Sequence, residues 1–517
     1  LSAKGGTTLV KVKSAYFYGI EAFAVDVEVN FIDRSMPGFD IVGLPGREVA
    51  ESRERVKNAI LNAFNEFPYA KKIVVNLAPA DVPKEGSYYD LAIAASIVSY
   101  MKGVTFPADS AFFGEVSLDG TVRSTRGAFL FTTFAKEHNL TNVFVPGACF
   151  DEVRGVRDVN IYPIANLRDL TTYSIIRSNN SMMHTSEYAV DSVSPESDEV
   201  DFSEVVGQDM AKRALEISAS GGHSILMIGS PGSGKSMLAK ALCRILPNLR
   251  PEEELEVAKI YSACGLFDPT IFSTKTRPYR SPHHTISYSG MVGGGTIPRP
   301  GEISLAHKGV LFLDEFSEFQ LPIIECLRQP MENGSITIAR SRGSIKLPCD
   351  FTLVACTNPC PCGFLGDRKV RCTCKPPQID RYKRKLSGPI LDRIDLFVRV
   401  WTPGLERLSE SAGLLAHREK TSALIKDRVE AARAIQAHRF VGEGVSVNAK
   451  MPNRLVKKYC PLSRVCEDLL DTAIQRCNLT PRSVYKIIKV ARTLADMEGA
   501  VAITPSQLAE SIQYKNI

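Results

Sequence analysis

The feature that most constrains this chain is the run Gly229-Ser230-Pro231-Gly232-Ser233-Gly234-Lys235-Ser236. It stands directly after the apolar segment Ser224-Ile225-Leu226-Met227-Ile228 and directly before Met237-Leu238-Ala239-Lys240-Ala241-Leu242. Strand, glycine turn and helix start, in that order, are the context a phosphate-binding loop requires. Gly232 and Gly234 let backbone N–H groups close around phosphate oxygens. Lys235 can reach the β- and γ-phosphates of ATP, and the Ser236 hydroxyl is placed for Mg²⁺. The run commits this part of the chain to an α/β nucleotide-binding core.

A second part of such a site follows about eighty residues on. Gly309-Val310-Leu311-Phe312-Leu313 has the pattern of a buried strand and ends in Asp314-Glu315. Two carboxylates at a strand end divide the labour: Asp314 would hold Mg²⁺ through water, and Glu315 would orient and deprotonate the attacking water. A third strand, Phe351-Thr352-Leu353-Val354-Ala355, runs into Thr357-Asn358, and Asn358 is the candidate sensor of nucleotide state.

With 517 residues, 44% of them hydrophobic, the chain can bury several cores, and two or three domains are expected. No run approaches the roughly 18 to 20 apolar residues that span a bilayer. The opening Leu1-Ser2-Ala3-Lys4-Gly5-Gly6 lacks an apolar signal core, so a soluble, cytoplasmic protein with no membrane partner is expected. A net charge of only +6 says little about nucleic acid. Thirteen cysteines without an export signal imply reduced thiols or a metal site.

The clearest boundary is Ser174 to Ser203, rich in Ser, Asn, Asp and Glu, which reads as a flexible linker. Before it, Ala24 to Val29 and Lys72 to Leu77 alternate as strands, and Arg47 to Ala63 has helical spacing. The first domain, residues 1–173, is therefore mixed α and β. After the linker come the nucleotide-binding core, 204–402, and a mostly helical lid, 403–517, with helical patterns over Leu405 to His438 and Ser483 to Gly499.

Cys360-Pro361-Cys362 and Cys372-Thr373-Cys374 form two close pairs inside the core. Four thiolates so spaced can surround a tetrahedral Zn²⁺. With no histidine and no open position, the metal would be structural, in an insertion at about 356–376. Cys356 is a substitute ligand, and four unligated thiols are the alternative. Around this site Arg368, Lys369, Arg371, Lys375, Arg381, Lys383, Arg384 and Lys385 outnumber Asp367 and Asp380. Such a cluster is either a nucleic-acid contact or a solvated loop. Glu332 to Leu347 alternates on both sides of a Ser-Arg-Gly turn and predicts a β-hairpin. Arg340, Arg342 and Lys346 face either a nucleic-acid backbone or solvent. Arg280 to Thr285, with the adjacent His283 and His284, and the glycine-rich Gly290 to Gly295 read as a flexible loop rather than a metal site.

With these segments in hand, the chain resembles the ComM/YifB family, AAA+ ATPases of the magnesium-chelatase-like branch, over nearly its whole length. The resemblance is carried by Gly229 to Ser236, Val310 to Glu315 and Leu391-Asp392-Arg393-Ile394-Asp395. It is carried also by Ser281-Pro282-His283-His284, Gly301 to His307, Leu327-Arg328-Gln329-Pro330-Met331-Glu332 and Asn358-Pro359-Cys360-Pro361-Cys362-Gly363. It implies a homo-hexameric ring with ATP at subunit interfaces, Arg393 as a finger acting in trans and Arg482 as a second sensor. It implies a DNA motor for branch migration of joint molecules in natural transformation, with single-stranded and branched DNA, and recombination proteins, as candidate partners. The amino-terminal domain resembles the α+β fold of the Lon protease domain. Lys84-Glu85-Gly86-Ser87-Tyr88-Tyr89-Asp90 stands where Lon-type proteases carry their nucleophile motif, and Gly114 to Gly120 matches the strand and turn that follow. Tyr88 occupies the nucleophile's place and Phe129 lies near the expected lysine, so the Ser-Lys pair is absent and the domain is expected to be protease-inactive. A chelatase-like remodelling ATPase and a nucleotide-switched scaffold are the competing readings.

Overall fold

The computed structural model describes residues 2–4, 7–33, 35–172, 200–295, 298–340, 343–367, 370–386, 388–401, 421–477 and 479–515. Most of the segment expected to be a linker, 174–203, lies outside the described residues, as do 402–420. The chain forms two compact units. One comprises Leu1–Val193, Glu254–Thr274 and Thr296–Pro300, and the other Ser194–Glu253, Lys275–Gly295 and Gly301–Ile517.

The first unit is built on a mixed sheet. Its strand order is Asn160–Ile164, Asn142–Pro146, Ser110–Phe112, Thr7–Tyr18, Glu21–Ile32, Lys72–Ala78 and Gly38–Val42, with Ser2–Lys4 paired to Thr7–Tyr18. Period-two patterning sets its faces: Val25, Val27, Val29 and Phe31 are buried while Asp26, Glu28 and Asn30 between them are not. Helix Arg47–Phe64 buries Val49, Val56, Ala59, Ile60 and Ala63, the three-to-four spacing of a single apolar stripe.

Residues 254–274 and 296–300, within the span expected of the nucleotide-binding core, group with this first unit. Ala258 joins its hydrophobic core, Phe267 stacks on Phe129 at 5.7 Å, and Phe272 stacks on Phe267 at 4.5 Å. Ser262 Oγ donates to Glu152 Oε1 at 2.6 Å, a carboxyl that burial pushes above the usual range against that bond.

The second unit holds a five-stranded sheet in the order Tyr279–Arg280, Val310–Leu313, Thr352–Thr357, Ile225–Gly229 and Leu396–Val400. Every pairing in it is parallel. Strand Ile225–Gly229 lies between its two later neighbours, so the chain leaves that strand at the place where the strand order reverses. In open parallel sheets this is where ligands bind, beyond the carboxyl ends of the strands. Helix Lys235–Ile245 follows, with Gly234 at φ +88 as its cap. Helices Ser422–Arg439 and Pro481–Met497 contribute Val429, Val490 and Leu494 to the sheet's own core. A separate core, with Met451, Leu455, Leu470 and Leu508, holds the remaining carboxyl-terminal helices together. Among the described residues, no helix is long and apolar enough to cross a membrane.

The expected hairpin is present as Ser335–Arg340 paired with Gly343–Pro348. Ile336, Ile338, Ile345 and Leu347 are buried on one face, and Thr337 and Lys346, directly paired, are exposed on the other. Arg342 at the tip lies outside the described residues, as do Arg368 and Lys369. Arg340 ends the first strand of the hairpin.

Candidate nucleotide site

The glycine-rich loop, the Asp-Glu strand end and the Thr357-Asn358 strand end converge on one cleft of ≈620 Å³. Pro231 to Met237, Ser281 to His284, Asp314, Glu315, Thr357 and Asn358 line it. Convergence follows from topology, because all these residues stand at the carboxyl ends of adjacent parallel strands. Gly229 is required by close approach: a methyl group there would run into the carbonyl of Val400 on the neighbouring strand. Gly232 is required by its φ of +73, in the left-handed region.

Lys235 is buried and folds back on its own loop, donating to Gly229 O at 2.8 Å and Ser230 O at 2.9 Å. Burial holds its ammonium below the usual lysine range, against the opposing pull of Asp314 and Glu315. Ser236 Oγ donates to Asp314 Oδ2 at 2.9 Å, and Asp314 Oδ1 accepts from the Glu315 N–H at 2.9 Å. Serine and aspartate are thus joined directly across the floor of the cleft. Glu315 has φ +50, in the left-handed region, and its half-exposed carboxylate lines the cleft. Thr357 Oγ1 bonds Ser317 Oγ at 3.2 Å, and Ser317 bonds the buried Tyr382 hydroxyl at 2.5 Å, fixing the strand end that carries Asn358.

The glycine-rich part of the histidine segment is corrected by the structure: Tyr288–Val292 is a short helix and Gly293–Gly294 a strand, while His283 and His284 lie in irregular chain, as expected, and stand in the cleft wall. His284 Nδ1 lies 3.3 Å from Glu315 Oε2. The signal for this was the position of Ser281 to His284 directly after a strand, Tyr279–Arg280, that pairs with the Asp-Glu strand.

Arg393 and Arg482 are brought together, away from the cleft lining. Arg393 Nη2 lies 2.7 Å from Glu332 Oε1, and Arg482 pairs with the same carboxylate oxygen. Arg482 follows Pro481, the first residue of a helix capped by the Thr480 side chain. The segment carrying Arg393 is anchored at Asp395. This buried carboxylate pairs with Lys486, faces His223 Nδ1 at 3.2 Å and accepts from Ser224 N at 3.3 Å. Lys486 and His223 hold it well below the usual carboxylate range despite burial.

The four cysteines of the two close pairs do meet. Their sulfurs lie within 4.8 Å of one another, with Cys360 to Cys362, Cys360 to Cys372 and Cys362 to Cys372 at 3.4, 3.7 and 3.5 Å. Sulfurs about 2.3 Å from a tetrahedral zinc sit about 3.8 Å apart, so the set fits that ion. Backbone N–H groups of Phe364 and Thr373 pull the Cys362 thiol down to about 5. Against the Cys362 N–H, desolvation and the neighbouring sulfurs push Cys374 up to about 12. Cys356 is not one of the set: it is fully buried in its strand, where burial pushes its thiol well up. Of the surrounding cations, Arg371 is exposed, and Lys385 pairs with Glu318 at 2.9 Å.

In the first unit, the Ser87 hydroxyl donates to the carboxylate of Glu115, Tyr88 is buried with its phenol pushed up to about 12 by desolvation, and the Phe129 N–H donates to Glu152. The lysine of the same motif, Lys84, is buried and donates to the carbonyl of Pro79.

Three family models match consecutive parts of the chain: "Subunit ChlI of Mg-chelatase" over 27–148, "Magnesium chelatase, subunit ChlI" over 201–408 and "Magnesium chelatase, subunit ChlI C-terminal" over 419–515. The YifB protein of Salmonella typhimurium is 40% identical over 501 residues, covering 96% of this chain and 95% of the relative. The competence protein ComM of Haemophilus influenzae is 37% identical over 513 residues, covering 98% and 97%. The magnesium-chelatase 38 kDa subunit of Cereibacter sphaeroides is 28% identical over 181 residues, covering 31% of this chain and 52% of that subunit.

Proposed function

This chain belongs to the ComM/YifB family of magnesium-chelatase-like proteins, and from that premise we propose that it is an ATP-driven, ring-shaped DNA motor. Its work is branch migration of joint molecules in homologous recombination during transformation. The observation that carries the motor reading is the convergence of Lys235, Ser236, Asp314, Glu315 and Asn358 on one cleft. Nearly full-length similarity to a protein named for competence supports the biological setting.

In this reading Lys235 leaves the loop carbonyls for the β- and γ-phosphates, and Ser236 with Asp314 holds the Mg²⁺ of the substrate. Glu315 takes the proton of the attacking water, and Asn358 reports the γ-phosphate. Arg393, held with Arg482 on Glu332, reaches as a finger toward the nucleotide of a neighbouring subunit in a homo-hexamer and stabilises the charge that develops there, and Arg482 serves as the second sensor of the γ-phosphate. Zn²⁺ on Cys360, Cys362, Cys372 and Cys374 would lend structural rigidity beside the site. Arg340, Arg342, Lys346, Arg368, Lys369 and Arg371 supply DNA contacts. Residues 1–173 are a protease-inactive, Lon-like module. The carboxylate partner of Ser87, where a Ser-Lys enzyme needs an amine, supports that assignment. Residues 174–203 link it to the ATPase core, 204–402, and the lid, 403–517.

The test is ATP turnover by the full chain with and without single-stranded and branched DNA, alongside strand displacement and junction migration, with Lys235→Ala as control. DNA-stimulated turnover with migration is expected. Turnover indifferent to every DNA would refute the motor reading and favour a chelatase-like remodelling role, to which the partial match with the 38 kDa subunit points.

A further inference from the structure

Residues 229–231 of the phosphate loop separate two cavities. On one side is the nucleotide cleft, with Pro231 in its wall. On the other is a cavity of ≈410 Å³ bounded by Gly229 and Ser230, by Thr357 to Pro359, and by Gly363 of the cysteine knuckle. Knuckle and loop touch directly. A methyl group at Gly363 would lie 2.5 Å from Pro231 Cδ and 2.9 Å from Cγ, so the bare α-carbon of this buried glycine is seated on the proline ring. Gly363 also has φ +84, so a side chain there is excluded on two independent grounds.

The turn that presents Gly363 is made by the cysteines. The Gly363 N–H donates to Cys360 O at 2.9 Å, and the Cys362 N–H points to Cys374 Sγ at 3.4 Å. Cys360 is fully buried and only two residues past Asn358. One end of the knuckle therefore continues into the sensor, and its tip rests on the phosphate loop. Pro231 and Gly232 are exposed on the cleft side, so the knuckle is packing from behind. A proline ring has no rotamer with which to absorb a displacement, and a push at Gly363 moves the loop backbone itself.

We propose that the four-cysteine knuckle is a brace for the phosphate loop. With its thiolates gathered on Zn²⁺, the Cys360–Gly363 turn holds Pro231 and Asn358 in nucleotide-binding geometry, and release of the ion weakens ATP binding. The proposal rests on the nucleotide-binding reading of the cleft. It makes the cysteines positioning residues, since none of the four lines the cleft.

The experiment uses the full chain, its zinc content measured, and reads the Kd of a fluorescent ATP analogue. Stripping zinc under reducing conditions should weaken binding about tenfold, and Zn²⁺ alone should restore it. Gly363→Ala, with zinc retained, should weaken binding by about tenfold through the clash with Pro231. The double variant Gly363→Ala/Pro231→Ala should bind more like Pro231→Ala alone, because the ring atoms that clash are gone. A protein that carries no zinc, or a folded zinc-free protein that binds ATP normally, would overturn the proposal. So would zinc-loaded Gly363→Ala with normal affinity, or additive effects in the cycle. If stripping unfolds the chain, the cycle run with metal in place decides. A wild-type protein no better than Lys235→Ala at binding the analogue would instead sink the nucleotide reading, a separate result.

Discussion

Asp395 offers a test of how the segment carrying Arg393 is held. Its carboxylate, 11% exposed, is the meeting point of Lys486, His223 and the Ser224 N–H. Asp395→Asn keeps the volume, so no cavity contributes. It removes the charge and turns one oxygen acceptor into an N–H₂ donor facing other donors. Lys486, 14% exposed, then loses its carboxylate. Removing one partner of a buried pair costs about 3–5 kcal/mol. Lys486 retains the carbonyl of Arg393 as an acceptor, which places the expected loss near the lower end, about 3 kcal/mol. The assay is urea unfolding at neutral pH followed by the fluorescence of Trp401, the single tryptophan, which stands just past strand Leu396–Val400 of this sheet. Adding Lys486→Met should recover most of the loss, since no unpaired ammonium then remains. A single variant within about 0.5 kcal/mol of wild type would refute the reasoning, as would a double variant as unstable as the sum of its parts.

Glu315→Gln should bind ATP normally and slow turnover by about 10²–10⁴-fold, while Lys235→Ala should lose binding; both are read by analogue binding and phosphate release. Gly229→Ala should cost about 1–3 kcal/mol or more in the same urea assay, because the new methyl meets Val400 O on a backbone that cannot move aside. His223 is fully buried, and burial lowers its pKa against the pull of Asp395, with Lys489 and Lys486 adding to the lowering. As pH falls below about 6.5 the unfolded chain takes up a proton that folded His223 refuses, so stability should drop by up to about 1.4 kcal/mol per pH unit until the folded pKa is reached. The comparison is with His223→Gln, in which that part of the slope should vanish; an unchanged slope would show that other groups govern it.

What the sequence made legible was local. The strands Ile225–Gly229, Val310–Leu313 and Thr352–Thr357 announce themselves as apolar runs bounded by a glycine loop, an Asp-Glu pair and a Thr-Asn tip. The helix Arg47–Phe64 and the hairpin strands Ser335–Arg340 and Gly343–Pro348 followed from their periods of 3.6 and 2. The four cysteines could be grouped because their spacing is itself short. The place of His283 and His284 in the cleft wall was not legible, because the strand that leads into them, Tyr279–Arg280, is only two residues long and has no period to detect. The shared hold of Arg393 and Arg482 on Glu332 joins residues far apart in the chain, and like-charged arginines carry no mark of their partner. The segment 254–274 was equally silent: apolar residues such as Ala258, Phe267 and Phe272 say that side chains are buried, and not in which core.

That segment bears on how the protein is made. A ribosome delivers residues 1–172 well before residue 274, yet Ala258, Phe267 and Phe272 belong to the packing of the first unit. The amino-terminal sheet can pair its strands early, but it emerges lacking part of its hydrophobic cover, and must wait for a stretch synthesised after the phosphate loop. Cutting the gene after residue 172 therefore divides a folding unit, and the carboxyl-terminal fragment inherits an unpartnered aromatic patch.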